Sequence, residues 1–329
     1  MTTVTPIASS REIRTGEART GNARASHDIR PGGLEEVLAV ASSAGTVIFL
    51  MCAWMLLQLL VLGGLTEARS QHLLYNQYRS ELAAATAPTG ELDYNNNPIA
   101  PGSPVALLTI PQLGIQQVVV DGTEPGDLLA GPGHLRNSPM PGQQGYSVVM
   151  GRGATYGAPF GENLLQLVGI DRFPHEISRL SPGDTIQVRN AEAKVTYSVV
   201  DVRRAGDRIP SLTPGANGRL VLVSSEDRNL LSGLLPQSAV YVDADTAKAT
   251  PAGPTGGVLP ASENPMGRDT AGLPTLVLLL ALVVGLSAAV SWALQHFRGV
   301  LVWLVAAPVA IALAWGVTDQ VMRLLPNLM

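Results

Sequence analysis

The sequence contains few of the residues that usually carry catalysis or bind metals. Its single cysteine, Cys52, lies inside an apolar run, so the remainder of the chain has no thiol and no internal disulfide. The chain has five histidines in 329 residues. No cysteines or histidines stand at zinc-ligand spacing, and Asp121, Glu124 and Asp127 do not match a calcium-binding loop. Phosphate-loop and dinucleotide fingerprints are missing. We therefore predict no metal and no cofactor.

Positive charge is also scarce. Only Lys194 and Lys248 are lysines, and the formal net charge is −4. This balance gives no basic footprint for nucleic acid, so we predict no nucleic-acid partner. Hydrophobic residues, in contrast, make up 46% of the chain. Such a share favours a membrane protein.

Three apolar runs are long enough to cross a bilayer: 37–65, 273–294 and 300–317. The first is too long for a signal-peptide core and begins too far from Met1, so we predict an uncleaved helix. Five arginines precede it, which favours a cytoplasmic N-terminus. Three crossings then place residues 66–272 outside the plasma membrane and Arg298 inside. Pro308 is expected to kink the third span.

The other segments follow from composition. Residues 1–36 form a polar basic tail, 66–104 a helical stalk and linker, 246–272 a Pro/Gly-rich flexible linker, and 318–329 a tail. The stalk is expected either to lie on the membrane or to pack against the folded domain.

Residues 105–245 have the pattern of a small all-β domain. Short apolar runs alternate with turns rich in Gly, Pro and Asp, which is typical of a barrel or sandwich. The later strands are expected at 185–189, 194–202, 219–223 and 239–243.

Within this domain, five motifs occur in a fixed order: IP-x-x-G-I from Ile110, a DG turn at Asp121, L-x-x-GPGH ending at His134, P-x-PG from Pro139, and G-x-x-x-TYGAPF from Gly151. This order resembles the sortases, membrane-anchored cysteine transpeptidases of the bacterial surface, in their class E-like, actinobacterial form. The resemblance covers residues 105–244. It implies a sortase-like closed β-barrel with short helices, here combined with three transmembrane helices.

The resemblance also implies that all three catalytic positions are changed. Arg152 stands at the position of the family's histidine, Ser225 at that of its cysteine, and Ser238 at that of its arginine. A serine hydroxyl needs an adjacent base, and a guanidinium stays protonated, so it can neither accept nor donate the proton. The expected groove residues are His134, Tyr156, Glu226, Asp227 and Arg228, with a hydrogen-bonding structural role for His134.

These substitutions predict a pseudoenzyme on the extracytoplasmic side of the membrane. Its expected role is to bind a surface-protein segment or an envelope partner, or to act as a subunit of a membrane complex. The alternative is a transpeptidase or hydrolase that works through Ser225, for which a pair with His175 supported by Glu226 or Asp227 would be needed.

Arg152 carries one further prediction. A partly buried arginine needs a partner, so we expect a salt bridge to Glu226 or Asp227 across the former active site. The simpler alternative is that Arg152 points into solvent.

Overall fold

A computed structural model of the chain describes residues 34–58, 63–93, 95, 97–153, 159–160, 176–225, 239–253 and 259–328. Four helices of more than 20 residues lie in these ranges: α1 Leu34–Leu57, α2 Gly63–Ala83, α3 Leu273–His296 and α4 Gly299–Leu324. The strands are β1 Pro104–Ile110, β2 Ile115–Asp121, β3 Gly133–His134, β4 Gly145–Met150, β5 Thr185–Arg189, β6 Lys194–Arg204, β7 Gly218–Ser225 and β8 Ala239–Thr246.

The strands close into a barrel in the order β1-β2-β3-β4-β7-β8-β6-β5. The prediction of a mainly β, closed barrel is confirmed. Inside it, inward-facing residues of the longer strands form the core, among them Leu108, Val149, Leu220 and Leu222. Because successive side chains point to opposite faces of a strand, Val221, Val223 and Ser225 of β7 lie on the outer face.

Helix α2 packs against the barrel, which decides between the two placements expected for the stalk. The Gln71 amide nitrogen donates to the Ala130 carbonyl oxygen at 2.8 Å, and its amide oxygen accepts from the Val118 N–H at 2.7 Å. The buried Tyr78 hydroxyl donates to the Arg189 carbonyl oxygen at 3.0 Å. These bonds fix α2 along β1 and β2.

The membrane helices agree with the sequence only in part. Among the described residues, α3 and α4 are the two helices long and apolar enough to cross a membrane. In α1 the apolar part is the shorter stretch Gly45–Leu57, and residues 59–62 of the expected first span lie outside the described residues. Three membrane-spanning helices are therefore not confirmed. Helix α4 runs through Pro308 without ending.

The second half of the segment expected to be a flexible linker contacts the barrel through several polar groups. Glu263 is fully buried and forms an ion pair with Arg136. Its carbonyl oxygen accepts a hydrogen bond from the Thr123 hydroxyl at 2.7 Å, and the Ser262 hydroxyl donates to a Glu124 carboxylate oxygen at 2.9 Å. The composition predicts flexibility because Pro and Gly disfavour regular secondary structure, whereas in the structure a short 3-10 helix, Ala261–Glu263, and these polar contacts join the segment to the barrel.

The expected tail at 318–329 is also different in the structure. Helix α4 continues to Leu324, and Pro326, Asn327 and Leu328 are buried against the barrel. The reason is that Leu328 packs into an apolar pocket on the outer face of the barrel, and its carbonyl oxygen accepts a hydrogen bond from the Gly153 N–H.

Candidate functional site

Two parallel strands bring the predicted site residues together. β4 pairs with β7 so that Met150 lies beside Val223, and the Gly151 N–H donates to the Val223 carbonyl oxygen at 2.9 Å. Arg152 follows the end of β4, and Ser225 is the last residue of β7. The two residues that match the family's histidine and cysteine positions are therefore neighbours at one end of the barrel.

Gly153 makes this approach possible. A Cβ atom at this position would collide with the Ser225 carbonyl oxygen and with the hydroxyls of Ser224 and Ser225. Only a residue without a side chain fits between the two strand ends. The sequence gives no direct sign of this close contact, although it places Gly153 between Arg152 and the TYGAPF motif.

Arg152 is fully buried, so the alternative in which it points into solvent is wrong. Its Nη2 donates to the Met322 carbonyl oxygen at 3.0 Å. Met322 lies in the last turn of α4, where backbone carbonyls lack intrahelical partners and a cation is favoured by the helix dipole. The expected partners Glu226 and Asp227 lie outside the described residues, so the predicted salt bridge remains a prediction. What sequence reasoning missed is the helix end as a partner.

Ser225 is buried as well. Its hydroxyl donates to the Leu328 carbonyl oxygen at 2.7 Å, and the Gly153 N–H donates to the same oxygen at 3.0 Å. Two donors thus converge on one peptide carbonyl. Within the described part of the chain, no histidine is hydrogen bonded to the Ser225 hydroxyl.

The histidine of the GPGH motif does not reach this site. His134 is fully buried, and its Nδ1 lies 3.3 Å from an Asp121 carboxylate oxygen. Its Nε2 lies 3.0 Å from the Ser138 carbonyl oxygen and 3.1 Å from that of Pro139. These contacts fix the ring within the β3 region. The remaining site predictions, Tyr156, His175, Arg228 and Ser238, lie outside the described residues.

A cluster of carboxylates lies next to the anchored 259–267 segment. Burial and, after it, the neighbouring Glu124 raise the pKa of Asp127 to about 7, while the guanidinium of Arg136 acts in the opposite direction. A carboxyl group in this setting favours its neutral form. In the described residues, no group of acidic or histidine side chains forms a metal site.

This pKa predicts a pH-dependent stability. Between the ordinary pKa of 3.8 and about 7, the folded state keeps a proton on Asp127 that the unfolded state releases. The free energy of unfolding should therefore fall as the pH rises through this window, and the contribution should be complete only below about pH 4. Asp127→Asn should raise the thermal midpoint relative to wild type at pH 8 and leave it nearly unchanged at pH 4.

Thermal unfolding of both proteins at the two pH values tests this. Asp207→Asn, at an exposed turn, is the matched control for the change of a carboxylate to an amide. Identical pH profiles for wild type and Asp127→Asn would contradict the assignment.

Comparisons with known proteins agree with the motif order. Residues 108–226 match the family model of the sortase domain. A search of curated proteins found no match. Among solved structures, the chain is similar to a Clostridium perfringens Sortase D5 transpeptidase, with 19% identity, a TM-score of 0.35, and coverage of 55% of this chain and 97% of that one.

Two other solved structures have a similar sequence identity, TM-score and coverage. The SrtF sortase of Corynebacterium diphtheriae has 21% identity and a TM-score of 0.33, over 50% of this chain and 95% of that one. A Clostridium perfringens sortase C has 19% identity and a TM-score of 0.35, over 59% and 89% of the two chains, and is described as a complex with the C-terminal cell wall sorting signal motif.

Proposed function

We propose that the protein is a membrane-anchored, extracytoplasmic pseudoenzyme that binds an extended peptide segment of a surface or envelope partner. The match of residues 108–226 to the sortase domain model supports this proposal. The observation that carries the proposal is the state of Ser225. Its hydroxyl donates to a peptide carbonyl and has no histidine partner among the described residues. The pair of donors from Ser225 and Gly153 can hold a peptide, but it cannot remove a proton from the hydroxyl.

Arg152 supports the same conclusion. A general acid or base must exchange a proton near neutral pH, and a guanidinium does not. The Arg152 side chain is directed to the end of α4, so it holds the helix to the barrel instead of assisting a reaction at Ser225.

The helices support membrane anchoring. α3 and α4, with 24 and 26 residues, extend about 36 and 39 Å at 1.5 Å per residue, enough for a hydrocarbon core of about 30 Å. α1 packs with them around a shared apolar centre that includes Val47, Val283 and Val302. Their outward faces are apolar, as Phe49, Leu278 and Leu304 illustrate. Such a surface suits lipid and not water.

The contacts between the helices and the barrel support a placement of the barrel on one side of the membrane. The end of α4 meets Arg152, and the start of α3 lies near that end, since a Cβ on Gly272 would be 2.6 Å from the Gln320 side-chain oxygen. In the N-terminal part of the chain, the Glu67 carboxylate near the start of α2 accepts a hydrogen bond from the Gln117 side-chain amide at 2.7 Å. The end of α4 and the start of α3 thus lie together at the barrel, and α2, which follows α1 in the chain, contacts the barrel as well. One bilayer around the bundle would leave the barrel on one face, and the five arginines before α1 favour the outer one.

Cysteine labelling in intact cells tests this topology. In a Cys52→Ser background, Asn95→Cys should react with a membrane-impermeant maleimide before permeabilisation. Gln295→Cys, exposed in the last turn of α3, is the matched control and should react only afterwards. The reverse pattern would contradict the extracytoplasmic placement and with it a surface-protein partner.

Peptide incubation tests the absence of catalysis. The full chain in detergent, mixed with a sorting-signal peptide and an amine acceptor, should give neither hydrolysis nor transfer by mass spectrometry. Ser225→Cys should also be inactive, because the thiol would still lack the family's histidine and arginine. Turnover by the wild type that disappears in Ser225→Ala would instead establish the alternative, an enzyme with a serine nucleophile.

A further inference from the structure

The segment that follows α4 occupies the outer face of the barrel at the site residues. Leu328 is fully buried, and its side chain packs among Leu128, Met150, Val223 and Ala239. These residues come from β4, β7, β8 and the short helix Asp127–Leu129. They form an apolar pocket directly beside the pair of donors that holds the Leu328 carbonyl oxygen.

Asn327 is held by a different set of groups, all of them backbone atoms. Its side-chain amide donates to the Thr123 carbonyl oxygen at 2.9 Å and to the Asn264 carbonyl oxygen at 3.0 Å. Its backbone N–H donates to the Gly267 carbonyl oxygen at 2.9 Å. The amide is fully buried. A side chain with two N–H donors fits these acceptors, whereas a carboxylate, which has only acceptors, does not.

From these contacts we propose that the outer face of β4 and β7 is a peptide-docking site that recognises an extended Pro-Asn-Leu segment, and that this chain's own residues 326–328 are its resident ligand. Recognition has three parts: a pocket for the leucine side chain, carbonyl acceptors for the asparagine amide, and the Gly153 N–H with the Ser225 hydroxyl for the leucine carbonyl. Ser225 is thus a docking residue. This inference rests on the proposed function, because it names the peptide chemistry that the proposed peptide-binding site recognises.

The occupied site has a consequence for partners. A segment joined to the barrel through α3 and α4 competes at an effective concentration that is on the order of millimolar for short connections. An external peptide of the same chemistry must displace it, so the site becomes free only when residues 326–328 leave it. Because these residues directly follow α4, docking of a partner peptide is linked to the end of that helix.

Peptide binding to two full-length variants tests the proposal. The probe is fluorescein-Gly-Leu-Leu-Pro-Asn-Leu-amide, and the control probe carries Asp in place of the final Leu. In Leu328→Asp, the carboxylate should leave the apolar pocket. A second variant, in which the chain stops after Leu325, empties the site without introducing a charge. Leu328 lies outside the barrel interior, and thermal unfolding of each variant verifies that the barrel is folded.

The expected result is saturable binding of the probe to both variants, and binding at least tenfold weaker to the wild type. Ser225→Ala in the shortened chain should weaken binding by roughly fivefold, as expected for the loss of one hydrogen bond. Equal binding by wild type and shortened chain, equal binding of the two probes, or no binding to folded variants would each overturn the proposal. Mass spectrometry of the same samples distinguishes a failure of the docking proposal from a failure of the proposed function. Cleavage of a bound probe would contradict the pseudoenzyme assignment but would leave the docking site intact.

Discussion

Arg219→Ala should lower the thermal midpoint of the barrel by about 10 °C or more, the largest effect expected for one residue in the described part of the chain. Arg219 lies directly opposite Asp245 on β8. Its Nε and Nη2 bind the two carboxylate oxygens at 2.6 and 2.8 Å, and Nη1 donates to the Pro210 carbonyl oxygen at 2.6 Å. Both side chains of the pair are nearly inaccessible to solvent.

The size of the effect follows from the charge that remains. Removing one partner of a buried pair costs about 3–5 kcal/mol, because the other charge stays buried without compensation. Burial raises the pKa of Asp245, but the bonds from Arg219 and Thr213 outweigh it and lower the pKa. The pair's contribution should therefore be complete at neutral pH and be lost on acidification below the ordinary pKa of aspartate.

Arg179→Ala is the control for this substitution. Arg179 pairs with Glu176 at 3.3 Å, but half of its side chain is exposed, so the loss should stay below about 1 kcal/mol. Circular dichroism of the full chain in detergent gives the midpoints. Similar midpoints for Arg219→Ala and Arg179→Ala would contradict the assignment of the Arg219–Asp245 pair as a structural tie of the barrel.

Arg152→Ala should cost about 1–3 kcal/mol and, more specifically, release the segment after α4. The guanidinium satisfies the Met322 carbonyl oxygen at the end of α4 and lies beside the strand end that holds Leu328. Without it, the last turn of α4 loses a charged hydrogen bond. Hydrogen exchange should then become faster in residues 325–328, while the interior strands keep their protection.

The control lies on the same helix turn. Arg323 pairs with Asp319 at 3.2 Å with both side chains partly exposed, so Arg323→Ala should alter exchange in 325–328 only slightly. If Arg152→Ala leaves the exchange of this segment unchanged, Arg152 is not the residue that holds the end of α4 to the barrel.

The fold could be predicted from local patterns. β5 coincides with the predicted strand, and β6, β7 and β8 begin within one residue of the predicted starts, because alternating apolar residues and Gly/Pro turns mark these elements directly. The closed barrel followed from the order of the motifs. The extension of β8 to Thr246 was missed, since Asp243 and Asp245 interrupt its apolar pattern; their partners Arg203 and Arg219 are on neighbouring strands.

For the candidate site, the sequence predicted which motif positions lie together but not which other segments of the chain contact them. Sequence comparison placed Arg152 and Ser225 together, and the structure does so. It could not show that Asn327 and Leu328, more than 100 residues away in the chain, lie on the same site, because their short polar–apolar pattern has no periodicity of its own. The anchoring of Glu263 was missed for a related reason: a single buried ion pair outweighs the flexibility that a Pro/Gly-rich composition predicts.

The measurement that tests the central claim most directly is peptide turnover in the Leu328→Asp protein, where the chain's own segment no longer covers Ser225. Wild-type inactivity alone could reflect a covered active site, whereas this variant exposes the hydroxyl. With a sorting-signal peptide and an amine acceptor, a pseudoenzyme should give no cleavage or transfer product by mass spectrometry even in this variant. Product formation by Leu328→Asp that is abolished in Leu328→Asp/Ser225→Ala would contradict the account and show a serine transpeptidase restrained by its own chain.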